Sequence, residues 1–278
     1  MNIAVLSGKG GTGKTFISVN LAAAVPNTTY LDCDVEEPNG HLFFKPTRIE
    51  REEIFSSVPE VDIEKCNLCR KCIEFCRFNA LALIGGKVRV FEDICHSCGG
   101  CTWICPEQAI LEKSKRIGEV QIGQVGDLKI VSGVLEIGEP SGVPLIHSVL
   151  SKAVAGTTTI VDCPPGSACT VMESISNADY CLLVVEPTPF GIHNAQMVLE
   201  LVRLFGKAHG VVINKDFEGS EGIEEFLEKN DLPLLARFAM NSELGEWTSN
   251  GEIAVWKDEG YRSIFKELLL KIQMEVQS

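Results

Sequence analysis

Eight of the twelve cysteines in this 278-residue chain lie in two runs with the same spacing. The runs consist of Cys66, Cys69, Cys72 and Cys76, and then Cys95, Cys98, Cys101 and Cys105. Each run reads C-x2-C-x2-C-x3-C, and Pro106 follows the second. Thiolates at this spacing bind [4Fe–4S] clusters, whereas zinc is the alternative for paired C-x2-C elements. Three cysteines plus a fourth, present twice, favour iron–sulfur clusters and predict electron chemistry.

The two cysteine runs resemble those of bacterial ferredoxins, in which the fourth cysteine of each run binds the other cluster. This resemblance implies one cluster held by Cys66, Cys69, Cys72 and Cys105, and another held by Cys95, Cys98, Cys101 and Cys76. The halves repeat with a period of 29 residues, the separation of Cys66 from Cys95. Arg77 stands where ferredoxins usually have proline, and we expect both clusters to assemble nonetheless.

A second chemical motif, a phosphate-binding loop, lies near the first residue. Residues 8–15 match G-x4-G-K-[ST], in which backbone N–H groups wrap the phosphates, the lysine reaches the β- and γ-phosphates, and the hydroxyl binds Mg²⁺. An apolar run precedes the loop and a helical pattern over residues 16–25 follows it, as the motif requires. The predicted contacts to ATP and Mg²⁺ come from Gly8, Gly10, Gly11, Thr12, Gly13, Lys14 and Thr15.

The loop carries an additional lysine, Lys9, in the form S-G-K-G-G-x-G-K-T. This form resembles the deviant loop of the MinD/ParA/Mrp-type P-loop ATPases, the SIMIBI-type superfamily that includes nitrogenase iron protein. The resemblance implies that Lys9 crosses the interface of an ATP-dependent homodimer and stabilises charge on the partner's departing phosphoryl group. The alternative for Lys9 is a solvated loop lysine.

Other positions extend the resemblance. Asp32 and Asp34 resemble switch I, where Asp34 would orient the attacking water and Asp32 would support the Mg²⁺ shell. Asp162 and Gly166 resemble switch II, where the aspartate holds Mg²⁺ through water and the glycine approaches the γ-phosphate. Asn214 resembles the residue that recognises adenine. The implied catalytic residues are Lys9, Lys14, Asp34 and Asp162.

The elements that must position these residues alternate between strands and helices. Buried-strand candidates that end in polar residues lie at 29–33, 158–161, 180–185 and 210–213, with helical patterns at 191–206 and 220–230. The alternation predicts an α/β fold, a doubly wound parallel sheet with ligands at the strand C-termini. Residues 117–139 predict a hairpin that re-enters this sheet. We therefore predict an ATPase domain of residues 1–57 and 116–278, interrupted by a small α+β ferredoxin-like domain at 58–115.

Composition narrows the partners. The formal charge of −13 argues against nucleic acid, which requires clustered Lys and Arg. No apolar stretch approaches the ~18 residues of a membrane span, and no signal peptide is recognisable, so we expect a cytoplasmic, reduced protein. Near the end of the chain, Tyr261, Ile264, Phe265, Leu268 and Ile272 share one helical face. A helix covering the sheet is favoured there over a membrane-binding helix.

Together these features predict an ATP-hydrolysing iron–sulfur protein that couples nucleotide state to electron transfer. Its cofactors would be ATP, Mg²⁺ and two [4Fe–4S] clusters, and its partner an unidentified redox or acceptor protein. The alternative is an ATPase that carries iron–sulfur clusters or metallocofactors to other proteins. Positioning on DNA or a membrane, as in ParA and MinD, is disfavoured by the acidic charge.

Overall fold

The computed structural model describes residues 1–217 and 222–277. The strands are β1 (Asn2–Leu6), β2 (Thr28–Asp32), β3 (Ile49–Val61), β4 (Leu81–Ile84), β5 (Lys87–Val90), β6 (Ile110–Val125), β7 (Leu128–Leu135), β8 (Thr158–Asp162), β9 (Tyr180–Val185), β10 (Ala208–Asp216) and β11 (Leu234–Ala239). The α-helices are α1 (Lys14–Ala23), α2 (Gly40–Phe44), α3 (Lys71–Phe75), α4 (Gly100–Ile104), α5 (Val143–Leu150), α6 (Cys169–Ile175), α7 (Pro189–Leu204), α8 (Gly222–Asn230), α9 (Ser242–Ser249), α10 (Ala254–Lys257) and α11 (Glu259–Gln277). Residues 220 and 221 of the predicted helix lie outside the described residues.

Within the described residues, nine strands form one sheet in the order β11-β10-β9-β1-β8-β2-β7-β6-β3. The seven strands from β11 to β7 pair in parallel, and β6 and β3 add antiparallel pairs at one edge. Apolar side chains of α5 to α8 cover one face, while α1, α2 and α9 to α11 cover the other. The prediction of a mostly parallel α/β sheet with helices on both faces is therefore confirmed.

The two antiparallel strands extend far beyond the sheet as a ribbon. β3 and β6 pair from Ile49↔Gly123 to Val61↔Ile110, whereas β7 pairs with β6 only between Gly118 and Val125. A bulge between Ile54 and Phe55 shifts the register where β7 ends. The cysteine runs lie at the far end of this ribbon, and β4 and β5 pair there as a separate hairpin. The predicted domain boundaries, residues 58 and 115, fall inside the two ribbon strands.

The last helix, α11, packs on the sheet. Phe265, Leu268 and Ile272 are buried, and the Phe265 ring stacks on Phe238 with centroids 5.2 Å apart. Ile264, predicted for the same face, is 41% exposed, because the buried stripe passes through Leu269 instead. None of the described helices is long and apolar enough to cross a membrane.

Candidate functional site

The phosphate-binding loop joins the end of β1 to the start of α1, and two of its glycines are required by close neighbours. A Cβ at Gly8 would lie 2.3 Å from the backbone carbon of Asn194. Gly13 has φ +88°, and a Cβ there would lie 2.1 Å from the Asn214 side-chain nitrogen. The loop therefore packs against α7 and β10 through positions where only glycine fits.

A cleft of about 840 Å³ opens at the carboxyl ends of the parallel strands. Of the predicted residues, those lining it are Lys9, Gly10, Gly11, Thr12, Gly13, Lys14, Thr15, Asp34 and Asn214. Asp32 and Asp162 lie buried behind this surface, and the Gly166 N–H donates to the Ser7 carbonyl at 2.9 Å. The Asn214 amide donates to the Thr12 carbonyl at 2.7 Å, so this nitrogen supports the loop.

Lys14 is the electrostatic centre of the site. Its Nζ lies 2.6 Å from Asp162 Oδ1 and 3.7 Å from Asp34 Oδ2, and the side chain is buried. Burial lowers the lysine pKa, but the charges of Asp162 and Asp34 outweigh it and raise the pKa to about 12. Lys14 therefore stays charged and bridges the segments predicted to be switch I and switch II.

If Asp32, Asp34 and Asp162 were all ionised, they would carry more negative charge than Lys14 alone can balance. Burial, followed by the charge of Asp162, raises the pKa of Asp32 to about 8, and burial raises that of Asp34 to about 6. Carboxylate and hydroxyl oxygens are the donors that Mg²⁺ prefers, and Thr15 lines the same cleft. The donor set therefore fits a Mg²⁺–nucleotide complex.

Asp32 organises the switch I backbone. Its two carboxylate oxygens accept hydrogen bonds from the N–H groups of Asp34 at 3.2 Å and Gly40 at 2.8 Å. These bonds close the loop that positions Asp34. Support of the Mg²⁺ shell by Asp32 remains a prediction.

Lys9 contacts its own chain. Its Nζ lies 2.8 Å from Glu186 Oε2 and 5.7 Å from the centroid of the Phe190 ring. The strand pattern placed Glu186 at a strand end, but it gave no reason to pair it with Lys9. In this arrangement the lysine is paired within its own chain.

Tyr30 is a second residue whose contact the sequence analysis missed. Its hydroxyl donates to Asp162 Oδ2 at 2.8 Å, and both side chains are buried. The alternation of side chains along β2 indicates that Tyr30 lies on the same face of the strand as Asp32, and so near the site. Sequence alone did not show which neighbouring strand the phenol faces.

The cysteines surround two separate cavities at the end of the ribbon. One is lined by Cys66, Cys69, Cys72 and Cys105, and the other by Cys76, Cys95, Cys98 and Cys101. Each set contains three cysteines of one run and the fourth cysteine of the other. The sets are those implied by the ferredoxin resemblance, and cluster binding itself remains a prediction.

The backbone of this cysteine module is duplicated along with its spacing. Residues with left-handed backbone recur 29 positions apart, at Leu68, Arg70 and Asn79 and then at Ser97, Gly99 and Gln108. Backbone N–H groups of Ala80 and Ala109 donate to the sulfurs of Cys76 and Cys105, each at 3.3 Å. Both halves of the module therefore have the same hydrogen bond to a cysteine sulfur. Hydrogen bonds of this kind tune the reduction potential of a bound cluster.

Within residues 1–217 and 222–277, no three metal-ligating side chains converge closely enough to hold a single ion. A cube of four irons is held by four thiolates around it, so its ligands surround a cavity. Burial raises the pKa of the thiols of Cys72, Cys95 and Cys101. The choice of iron–sulfur clusters over zinc remains a prediction from the cysteine spacing.

The sheet, loop and cleft define a P-loop nucleotide-binding protein. The chain matches the model of the CobQ/CobB/MinD/ParA nucleotide binding domain over residues 3–255, and it belongs to this family. Nucleotide binding is thereby confirmed at the level of the family. Two uncharacterised proteins of Methanocaldococcus jannaschii are 32% and 30% identical, over 77% of this chain and 78% and 80% of their own lengths.

The chain is also similar, at lower sequence identity, to a protein and to solved structures whose names describe a role. An iron–sulfur cluster carrier protein of Pyrococcus horikoshii is 23% identical over 97% of this chain and 84% of its own. The cell division ATPase MinD of Pyrococcus furiosus covers 98% of both chains with a TM-score of 0.57 at 18% identity. A ParA family ATPase of Chlorobium tepidum covers 96% of this chain and 98% of its own, with a TM-score of 0.59 at 12% identity. The two structures establish the fold alone.

Proposed function

We propose that this chain hydrolyses ATP and uses its nucleotide state to control electron transfer through a module that holds two [4Fe–4S] clusters. The observation that carries the proposal is a backbone hydrogen-bond path from switch I to the ribbon that bears the cysteines. When bound, the clusters would supply one-electron carriers. The remaining steps concern the residues of this chain.

The path begins at Val35, next to Asp34. The Leu135 N–H donates to the Val35 carbonyl at 2.9 Å, and the Glu136 N–H donates to the Ile117 carbonyl at 2.9 Å. Ile117 is buried and lies at the bulge of the ribbon. A change in the position of switch I is therefore transmitted through two consecutive residues to the base of the ribbon.

Close packing makes this path stiff. A Cβ at Gly133 would lie 2.6 Å from Val35 Cγ1, and one at Gly142 would lie 2.7 Å from Val35 Cγ2. Val35 is itself buried. Because the packed neighbours leave no free space, movement of Val35 requires movement of the end of β7.

The nucleotide supplies the displacement. Lys14 bridges Asp34 and Asp162 in the present structure, and the P-loop lysine reaches the β- and γ-phosphates when nucleotide binds. Transfer of Lys14 to the phosphates would release both carboxylates. Asp34 would then be free to orient the attacking water, and Asp162 to hold Mg²⁺ through water. In an ATP-dependent homodimer, Lys9 would exchange Glu186 for the partner's phosphates.

A carrier ATPase is the second candidate, and a specific observation favours it. The similar protein of P. horikoshii is named an iron–sulfur cluster carrier. In a carrier, a cluster is cargo, released to an acceptor while its cavity empties. The buried Cys72 and Cys101 and the matching sulfur hydrogen bonds instead support clusters that stay in place.

One experiment separates the two functions. The reconstituted protein, with about eight irons per chain, is reduced and mixed with a redox-dye acceptor or an apo-ferredoxin, each with ATP, ADP or no nucleotide. A nucleotide-dependent electron-transfer rate with iron retained supports the proposal, whereas nucleotide-dependent loss of iron to the apo-ferredoxin supports a carrier. The Lys14→Met variant is the control, since it should keep its iron and lose the nucleotide effect. Equal rates and equal iron under all three conditions would exclude coupling.

A further inference from the structure

Asp162 is held from both sides in this structure. Lys14 contacts Oδ1 at 2.6 Å, and the Tyr30 hydroxyl donates to Oδ2 at 2.8 Å. Only the lysine has a second task, because the phosphates attract it when nucleotide binds. The phenol hydroxyl contacts the other oxygen of the carboxylate, and among the described residues it donates to no other acceptor.

We propose that Tyr30 is the positioning residue that fixes the Asp162 carboxylate for Mg²⁺ once Lys14 has left it. This inference rests on the proposed function and concerns a residue outside the phosphate-binding loop and both switch motifs. The fixed Oδ2 leaves Oδ1 directed towards the position that Lys14 vacates. Asp162 Oδ1 would then already be oriented to hold Mg²⁺ through water.

The surroundings of Tyr30 support a fixed donor. Its side chain is fully buried, and its ring packs edge-on against Phe44 with centroids 5.0 Å apart. A Cβ at Gly40 would lie 2.2 Å from Tyr30 Cε1, so the ring fills the space that this glycine leaves.

Tyr180 provides a matched control. It is also a fully buried tyrosine in a parallel strand, and its hydroxyl also donates to a carboxylate, that of Glu275. Tyr180 is the first residue of β9, at the end of the strand opposite the cleft. Loss of its hydroxyl removes a partly buried hydrogen bond between a buried tyrosine and a carboxylate, without touching Asp162.

The test is a titration of Mg²⁺ into each variant with a fluorescent ADP, which reads metal binding without catalysis. Tyr30→Phe should raise the Mg²⁺ concentration for half-saturation by about tenfold, the effect of one hydrogen bond to a charged group. ADP affinity without Mg²⁺ should stay within about twofold, and Tyr180→Phe should match the wild type in both. Thermal unfolding of both variants measures the loss of stability that removal of either hydroxyl causes.

Hydrolysis provides an independent comparison. The Tyr30→Phe variant should lose about tenfold in kcat with a smaller change in KM for ATP. A wild type that hydrolyses no ATP would refute the proposed function, while the Mg²⁺ titration would still test Tyr30. A half-saturation point unchanged in Tyr30→Phe, or changed equally in Tyr180→Phe, would overturn the inference.

A second measurement needs no change at Tyr30. The chain has three tyrosines, so Tyr180→Phe combined with Tyr261→Phe leaves Tyr30 as the single tyrosine. The phenol C–O vibration of this variant should report donation to a carboxylate both without nucleotide and with Mg²⁺–ADP. Loss of that signature when Mg²⁺–ADP binds would show that Tyr30 releases Asp162 and would refute the assignment.

Discussion

The ion pair between Lys9 and Glu186 should oppose dimer formation, and Glu186→Gln tests this. The two atoms lie 2.8 Å apart, with side chains 24% and 21% exposed. A partly exposed pair of this kind is worth about 1 kcal/mol, and each protomer must break one pair to present its lysine. Because a dimer uses two lysines, the variant should make the free energy of dimerisation more favourable by about 2 kcal/mol, which lowers the dimer dissociation constant roughly thirtyfold.

The assay is sedimentation equilibrium with a non-hydrolysable ATP analogue at several protein concentrations. Glu252→Gln is the matched control, because it removes a carboxylate paired with Lys257 at another surface. The control should dimerise like the wild type. Raised salt should narrow the difference between wild type and Glu186→Gln, because screening weakens the pair. A dimer dissociation constant that is unchanged or higher in Glu186→Gln would refute the idea that this pair restrains Lys9.

Three further predictions concern the cysteine module, the switch and the path between them. Cys69→Ala with Cys105→Ala should spare one cluster and leave about four irons per chain, whereas Cys69→Ala with Cys76→Ala should disturb both clusters, as iron analysis and EPR would show. The folded protein raises the pKa of Asp34 from 3.8 to about 6. The free energy of unfolding of the nucleotide-free protein, measured in urea, should therefore fall relative to that of Asp34→Asn as the pH rises from 3.8 through 6. Gly133→Ala should cost about 1–3 kcal/mol in urea unfolding and reduce the nucleotide effect on electron transfer.

Each of these predictions has a contrary result. Equal iron in the two cysteine double variants would contradict the division into two cavities. Stability of the wild type that rises relative to Asp34→Asn over the stated pH range would reverse the assigned sign. Gly245→Ala is the control for the glycine, since nothing lies within 4 Å of an added Cβ there. An equal loss of stability in both glycine variants would remove the role given to contact with Val35.

The local motifs could be predicted because their chemistry depends on neighbours in sequence. The phosphate-binding loop lies in eight consecutive residues, and the cysteine spacing places three sulfurs on one short segment. The fourth cysteine required a resemblance, because Cys76 and Cys105 exchange cavities through the pseudo-symmetry of the module. Spacing alone cannot distinguish this exchange from two self-contained runs.

Contacts made across strands were harder to predict. Lys9 and Glu186, and likewise Tyr30 and Asp162, are far apart in sequence and meet only through the order of the strands. The ribbon was missed for a different reason. Most of β3 is exposed, so its sequence lacks the alternation of a half-buried strand, and pairing with β6 stabilises it instead.

Under the proposed function, the two-stranded part of the ribbon would act as a lever between the nucleotide site and the cysteine module. From Phe55 to Val61 the ribbon extends about 20 Å at ~3.3 Å per residue, with the bulge at its base as a pivot. A rotation of about 10° at that pivot would carry the far end through roughly 3.5 Å, on the geometry of a strand of this length. Electron tunnelling slows steeply with distance, so this swing would change the rate of transfer to a docked acceptor while leaving the reduction potentials unaltered. Under the proposed function, ATP would therefore regulate the distance of electron transfer rather than its driving force.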